Sequence, residues 1–472
     1  MTTSFGAERA RPTRRSLLRG GLSLGIGAAG AGALPGLASL ASASTGTGTG
    51  YKALVCVYLA GGLDNFDTVI PLDEGEYAAW AEPRARLLTA YEAAGDDSRR
   101  RENLLDIGTQ RDGRRFGMPR QLAPLHALFG AGRASVVANV GPLLGPSDRP
   151  RLDSGQVAAP PHLMSHIDQK KFWHTSSVER AATGWGGRMV EAAREASPFA
   201  AISLANSTAF LSGGGVAPLV VAPRGVRPLP HTGDWAFGSR AVPDLLEAHY
   251  GASAAGLNNY LASDLQAQRR QTVEAFGRLG EVLTGDTTGD EIAQPGNALS
   301  EQLAMVAKLI GQRQALGVTR QVFFVEQQGY DTHQNQAKAL PALQAELAEA
   351  LAAFYRHTVR QGVAQDVTTF TASDFGRTLS VNSSGTDHGW GGHQFALGGA
   401  VRGGRIIGKV PVAGFGHDHD YDARGRLIPT LSTEQYAASL GATIGLGEAE
   451  LREALPSMDR FARPPSLTSE LT

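Results

Sequence analysis

The chain has 472 residues, of which 59 are glycine and one is cysteine, and its formal net charge is -1 at neutral pH. A near-neutral balance argues against a nucleic-acid binder, which normally carries a basic face. A single cysteine makes no internal disulfide, so stability has to come from the core; Cys56, inside Ala53-Leu54-Val55-Cys56-Val57, fits a packed thiol on a buried strand.

Taken in chain order, the first feature is an export signal. A basic head from Arg9 to Arg19 precedes an apolar middle of about Gly20 to Leu40 and the small residues Ala41-Ser42-Ala43. Thr13-Arg14-Arg15-Ser16-Leu17-Leu18-Arg19 has the twin-arginine pattern, which predicts export of the folded chain by the twin-arginine translocase, with cleavage after Ala43. The apolar middle is a poor membrane anchor. It approaches the roughly 20 residues that span a bilayer, but it is largely Gly and Ala, is interrupted by Pro35 and runs straight into the cleavage site. No later stretch reaches membrane-spanning length, so a mature chain in the periplasm, cell envelope or medium is expected, with no stable membrane span.

Residues 44–50 form a Gly/Thr linker, and 51–472 are expected to form one domain. Tyr51 to Ala60, Ala134 to Val140, Arg320 to Glu326 and Val367 to Ala372 are short apolar runs that predict buried strands. After the third, Leu340, Leu343, Leu347, Leu351 and Phe354 recur at three- and four-residue spacing and predict an amphipathic helix. This alternation predicts an α/β layer fold, doubly wound, with a mostly parallel sheet flanked by helices. Between about 212 and 297, Gly, Pro and Ser interrupt the helical pattern, and an inserted irregular subdomain is expected there.

In such sheets ligands bind beyond the carboxyl ends of the strands. Three predicted strands end in acidic runs: Gly61-Gly62-Leu63-Asp64-Asn65, Gly329-Tyr330-Asp331-Thr332-His333 and Ser373-Asp374-Phe375-Gly376-Arg377. A fourth polar run, Gly385 to His393, follows closely. Carboxylates and imidazoles gathered at one sheet edge make the mixed O/N donor set that suits zinc or manganese. Each Asp also fits a turn or helix cap, and only their concentration raises the metal reading. Gly416-His417-Asp418-His419-Asp420 reads as a solvated turn, Asp96 to Arg101 as an exposed loop face, and Trp173, Trp185 and Trp390 as packed aromatics.

Over essentially the whole mature chain the sequence resembles the exported domain-of-unknown-function family 1501. The resemblance rests on Ala60 to Asn65, Ser165-His166 with Gln169, Gly184-Trp185 with Gly187-Arg188, Asp331-Thr332-His333, Ser373 to Arg377 and Thr386 to Gly389. That family is similar in turn to the alkaline phosphatase and sulfatase superfamily, doubly wound α/β hydrolases of phosphate and sulfate esters. The resemblance implies Asp64, Asp331, His333, Asp374 and His388 or His393 as metal ligands, and Ser165, opening a helix, as nucleophile. It implies Asn65 as an oxyanion contact. Phe375 stands where that superfamily has a histidine ligand. Arg377 fits a clamp for an anionic ester through its planar fork of donors, and equally a partner for a nearby carboxylate. Ser165 equally fits an ordinary N-cap, and His166 a partner for a backbone carbonyl.

The expectation is therefore an exported, metal-dependent hydrolase of phosphate or sulfate esters. The alternative is a non-catalytic binding or envelope-assembly protein that keeps a hydrolase-like fold without the full metal set.

Overall fold

A computed structural model describes residues 50–177, 183–225, 245, 248 and 260–468. The predicted export signal, its cleavage site and nearly all of the linker lie outside the described residues, as do 226–244, 246–247 and 249–259 within 212–297.

The first strand, β1 (Lys52–Ala60), explains the architecture. Its side chains alternate between two cores: Ala53, Val55, Val57 and Leu59 enter one, and Leu54, Cys56 and Tyr58 enter the other. A strand buried on both faces needs helices on both faces. In chain order the remaining strands are β2 (Ile70–Pro71), β3 (Leu105–Thr109), β4 (Arg115–Met118), β5 (Ala134–Gly141), β6 (Ala201–Ser203), β7 (Leu219–Val220), β8 (Arg320–Gln328), β9 (Val367–Ser373), β10 (Arg377–Val381), β11 (Thr386–His388), β12 (Gly392–Gly398), β13 (Ile406–Ile407) and β14 (Leu431–Ser432). The helices are α1 (Glu74–Ala93), α2 (Ala123–Gly130), α3 (Arg149–Asp153), α4 (His166–Thr175), α5 (Trp185–Ala192), α6 (Tyr260–Leu283), α7 (Ala298–Gly311), α8 (Gln336–Arg360), α9 (Thr433–Thr443) and α10 (Glu448–Ala454). Apolar residues of α2, α7 and α8 line the first core; those of α5, α9 and α10 line the second. The helix predicted from the Leu340 to Phe354 spacing is α8, with Leu340, Leu347, Leu351 and Phe354 buried.

The central sheet runs β13-β5-β12-β9-β1-β8-β6-β7, with β14 also paired to β5. The sheet is mostly parallel, as expected, with one exception that makes it mixed: β12 runs antiparallel to both neighbours, β5 and β9. The reason is local. Chain leaving β9 turns back through the β10–β11 hairpin at the carboxyl edge and enters β12 from that same edge. β1, β8 and β9 are parallel and end together, with Ala60 opposite Gln328 and Leu59 opposite Ser373. The three acidic runs therefore start from one sheet edge.

Two expectations change. The stretch predicted to be an irregular insertion contains α6, a helix of 24 residues. Within Asp96 to Arg101, Arg99 is not on an exposed face: it is 1 % exposed and donates to Asp96 at 2.7 Å and to Gln344 at 2.7 Å. The Gly416 to Asp420 turn is open to solvent at Gly416 and Asp418, as expected, and is shaped by the buried Asp420 carboxylate, which accepts the backbone N–H groups of Gly416 and Gly425. Trp173, Trp185 and Trp390 are packed as expected, and Cys56 is a buried free thiol. Among the described residues no helix is long and apolar enough to cross a membrane.

Glu434, near the start of α9, carries a pH dependence. It is 5 % exposed, and burial pushes its carboxyl up from an ordinary 4.5 to about 7, against a hydrogen bond from Thr433. Between those values the folded state holds a proton that the unfolded chain has lost, so this group's contribution to stability falls as pH rises from about 4.5 to about 7. Glu434→Gln removes the titration. Urea unfolding at pH 5 and pH 8 is expected to show the variant gaining on the wild type by on the order of 3 kcal/mol across that interval; a difference independent of pH contradicts this.

Candidate metal centre

The loops after β1 and β8 touch because Gly61 permits it. Its φ is +113°, and a Cβ there would lie 2.3 Å from the backbone nitrogen of Asp331. On the other side, α4 is preceded by His162 and Met164, both non-glycine residues in the left-handed region (φ 55° and 66°). Such conformations cost energy and concentrate at functional sites. Here they deliver the Met164 carbonyl and the His166 ring to the sheet edge.

His166, Asp331 and His388 form a group whose candidate ligand atoms all lie within 4.8 Å of one another. His388 Nε2 is 3.2 Å from Asp331 Oδ1, and His166 Nε2 is 3.5 Å from Asp331 Oδ2. His333 adjoins them, with Nε2 at 3.2 Å from Asp331 Oδ1 and 2.8 Å from His388 Nε2. The Asp331 side chain is 47 % exposed and that of His388 21 %, so the group opens to solvent on one side.

The far nitrogen of each ring fixes its tautomer. His388 Nδ1 lies 2.7 Å from the Met164 carbonyl oxygen, which only accepts, so Nδ1 carries the proton. His166 Nδ1 faces the Asp374 carboxylate at 2.6 Å, and His333 Nδ1 faces Asp387 at 3.2 Å. With those protons committed, three Nε2 lone pairs and the Asp331 carboxylate converge with nothing to donate between them. His166 Nε2 is buried and without a hydrogen-bond partner. Facing acceptors repel unless a cation or a proton lies between them. The Asp374 hydrogen bond raises the His166 pKa above its usual value, with burial opposing, whereas burial holds that of His388 below it. Burial raises the Asp331 carboxyl, but the hydrogen bond and charge of Arg377 outweigh it and hold the group below the usual range.

Behind this group stands Arg377, fully buried. Its Nε donates to the Gly62 carbonyl at 3.1 Å and Nη1 to that of Thr386 at 2.9 Å. Nη2 donates to the carbonyls of Gly61 and Tyr330, at 2.7 and 2.9 Å, and to Asp331 Oδ1 at 2.5 Å.

The residues implied by the resemblance divide accordingly. Asp331 and His388 are in the group, and His333 adjoins it. Asp374 stands one shell behind: its carboxylate accepts from the Tyr58 hydroxyl, from Gly61 N at 3.1 Å and from the His166 ring. Asp64 does not reach the group. It is fully buried, caps a short 3-10 helix and pairs with Arg84 at 2.6 Å and Gln336 at 2.5 Å, because an uncompensated charge at that depth is untenable. Asn65 is buried as well, its Oδ1 accepting the Arg377 backbone N–H at 2.9 Å. His393 is 2 % exposed and accepts from Asn139 N at 3.0 Å; burial holds its pKa down at about 3, as a neutral ring inside the sheet. Ser165 caps α4, and its hydroxyl donates to Asp168 at 2.6 Å. Arg377 is enclosed by carbonyls and cannot clamp an external anion. His166, treated at first as a carbonyl's partner, is central, and Phe375 packs against both His166 and His388 at ring separations of 4.8 and 4.5 Å.

The buried pair gives a stability prediction. Asp64→Ala leaves Arg84 with Asp67, 3.2 Å away, and the Thr378 carbonyl, 3.3 Å away, and is expected to cost about 3 kcal/mol. Urea unfolding checks this, and a loss below about 1 kcal/mol contradicts it.

A comparison with curated proteins finds no match. A comparison with family models matches residues 51–434 to the family described as a protein of unknown function, DUF1501. With most of its length covered, the chain belongs to the DUF1501 family.

Proposed function

We propose that this protein is a metal-dependent hydrolase that works after export by the twin-arginine route. The observation that carries the proposal is the convergence of imidazole Nε2 atoms whose Nδ1 protons are already committed, around the Asp331 carboxylate. A donor set of two or three imidazoles and one carboxylate suits zinc, with manganese as the harder alternative. His166, Asp331 and His388 would hold the ion, with His333 beside them. When bound, a divalent ion supplies a Lewis acid that polarises a scissile ester and makes water nucleophilic near neutral pH.

The chain's own residues do the rest. Asp374 and the Met164 carbonyl hold two rings in the tautomer that presents Nε2, the outer-shell role that tunes metal sites. Arg377 fixes the rotamer of Asp331. Ser165, tied to Asp168, acts as a helix cap, so the reaction supported is direct attack by water without a covalent seryl intermediate. Export rests on Arg14-Arg15 and the cleavage pattern at Ala41-Ser42-Ala43. Among the described residues one ligand group, rather than two, supports a single ion; a non-catalytic binder is the reading left if no metal is taken up.

Calorimetric titration of metal-free protein with zinc and manganese tests this. His166→Ala and His388→Ala are expected to weaken binding at least about 100-fold, Asp374→Asn about 10- to 100-fold, and His393→Ala not measurably. Equal binding by wild type and His166→Ala contradicts the proposal. Acid is expected to release the ion, because protons compete for the same Nε2 lone pairs.

A further inference from the structure

The charge pattern around the centre says which esters it takes, given the metal-dependent reading above. Two exposed carboxylates border it: Asp331, 47 % exposed, and Asp387, 37 % exposed and 3.2 Å from His333. Asp374 lies directly behind, and Asp168 occupies the first turn of the helix that His166 begins. Against these four carboxylates stands the single guanidinium of Arg377, sealed from solvent and donated to four carbonyls and Asp331.

Neighbouring cations are committed too. Arg426 gives Nε to the His388 carbonyl at 2.6 Å and pairs with Asp422. Lys170 pairs with Glu326 at 2.8 Å and lies over the Tyr58 ring. The start of α4 would ordinarily attract an anion through its free N–H groups, yet Asp168 is already there and its N–H faces the Ser165 hydroxyl. A divalent ion therefore leaves the centre about one charge negative, and a dianion arriving beside Asp331 and Asp387 meets repulsion that no side chain among the described residues offsets.

We infer that the substrate is a carboxylic ester or amide with no negative charge next to the scissile bond, uncharged or cationic, and not a phosphate or sulfate monoester. In the reaction the oxygen of water bonds to the acyl carbon and the bond to the leaving oxygen or nitrogen breaks. A proton of that water ends on the leaving group, giving an acid and an alcohol or amine with no change of oxidation state. The inference departs from the ester class implied by the resemblance because the two residues that class requires, an anion clamp and a nucleophilic serine, are committed to the protein interior and to a helix cap.

The experiment uses the full mature chain with its zinc or manganese content measured first. Turnover is compared for nitrophenyl acetate, a nitrophenyl ester of a trimethylammonium acid, nitrophenyl phosphate and nitrophenyl sulfate, and inorganic phosphate is titrated calorimetrically into the loaded protein. The expected order of kcat/KM is cationic, then neutral, then anionic, with at least about tenfold between the ends and a spread that narrows as salt rises. The phosphate Kd is expected to be weaker than about 100 µM. A preference for the phosphate or sulfate ester overturns the inference, as does tighter phosphate binding even where no ester is turned over. Failure to take up metal strikes the metal reading instead, so the two are told apart.

Discussion

One buried guanidinium holds the functional end of this fold together. Arg377 ties the loop after β1 through the Gly61 and Gly62 carbonyls, the loop after β8 through Tyr330 and Asp331, and the β10–β11 hairpin through Thr386. Those segments leave the sheet at separate strands and share no ladder there. Loops of this kind open readily unless something over-determines them. A planar, permanently charged fork can satisfy several carbonyls at fixed angles, which a flexible ammonium cannot. Its own backbone N–H is held by Asn65, so the loop after β1 and the strand carrying Arg377 position each other.

From that clamp the chemistry follows in order. With Asp331 fixed at 2.5 Å from the guanidinium and its charge favoured, the carboxylate stays ionised and points at the rings. The rings are turned to it by partners that belong to the fold: the Met164 carbonyl from a strained loop, and Asp374 from the end of the central strand β9. Tyr58, on β1, and the Gly61 N–H hold Asp374 in turn. A site supported by strands through a second set of hydrogen bonds is held to the precision that metal binding requires. The second buried charge cluster, Asp64, Asp67 and Arg84, lies beneath the same edge with its charges paired to one another, so it braces the floor and leaves the opening to the exposed groups.

Much of this was legible in the sequence, and the gaps have physical causes. The four buried strands and α8 follow from continuous apolar runs and from a 3.6-residue period, signals that burial itself imposes. The sheet edge followed from the acidic runs after β1, β8 and β9. What the residues could not reveal was depth. Asp64 and Asp331 both follow strand ends, yet one is sealed by Arg84, twenty residues on, while the other faces solvent. Arg377 offers the same fork to a ligand or to carbonyls, and only the approach of three loops decides. His166 looked ordinary because its partner, Asp374, is distant in sequence, and the left-handed turn at Met164 has no composition signal. The antiparallel β12 was hidden because a strand's direction depends on how the connection before it turns.

The most direct test of the account is the X-ray absorption fine structure of the zinc-loaded protein, compared with that of His166→Ala. The account predicts a first shell of at least two imidazole nitrogens with the multiple-scattering signature of bound rings, plus carboxylate oxygen, at about 2.0–2.1 Å, and loss of one ring in the variant. A hydrated ion with oxygen neighbours only, or a spectrum unchanged by His166→Ala, would contradict it.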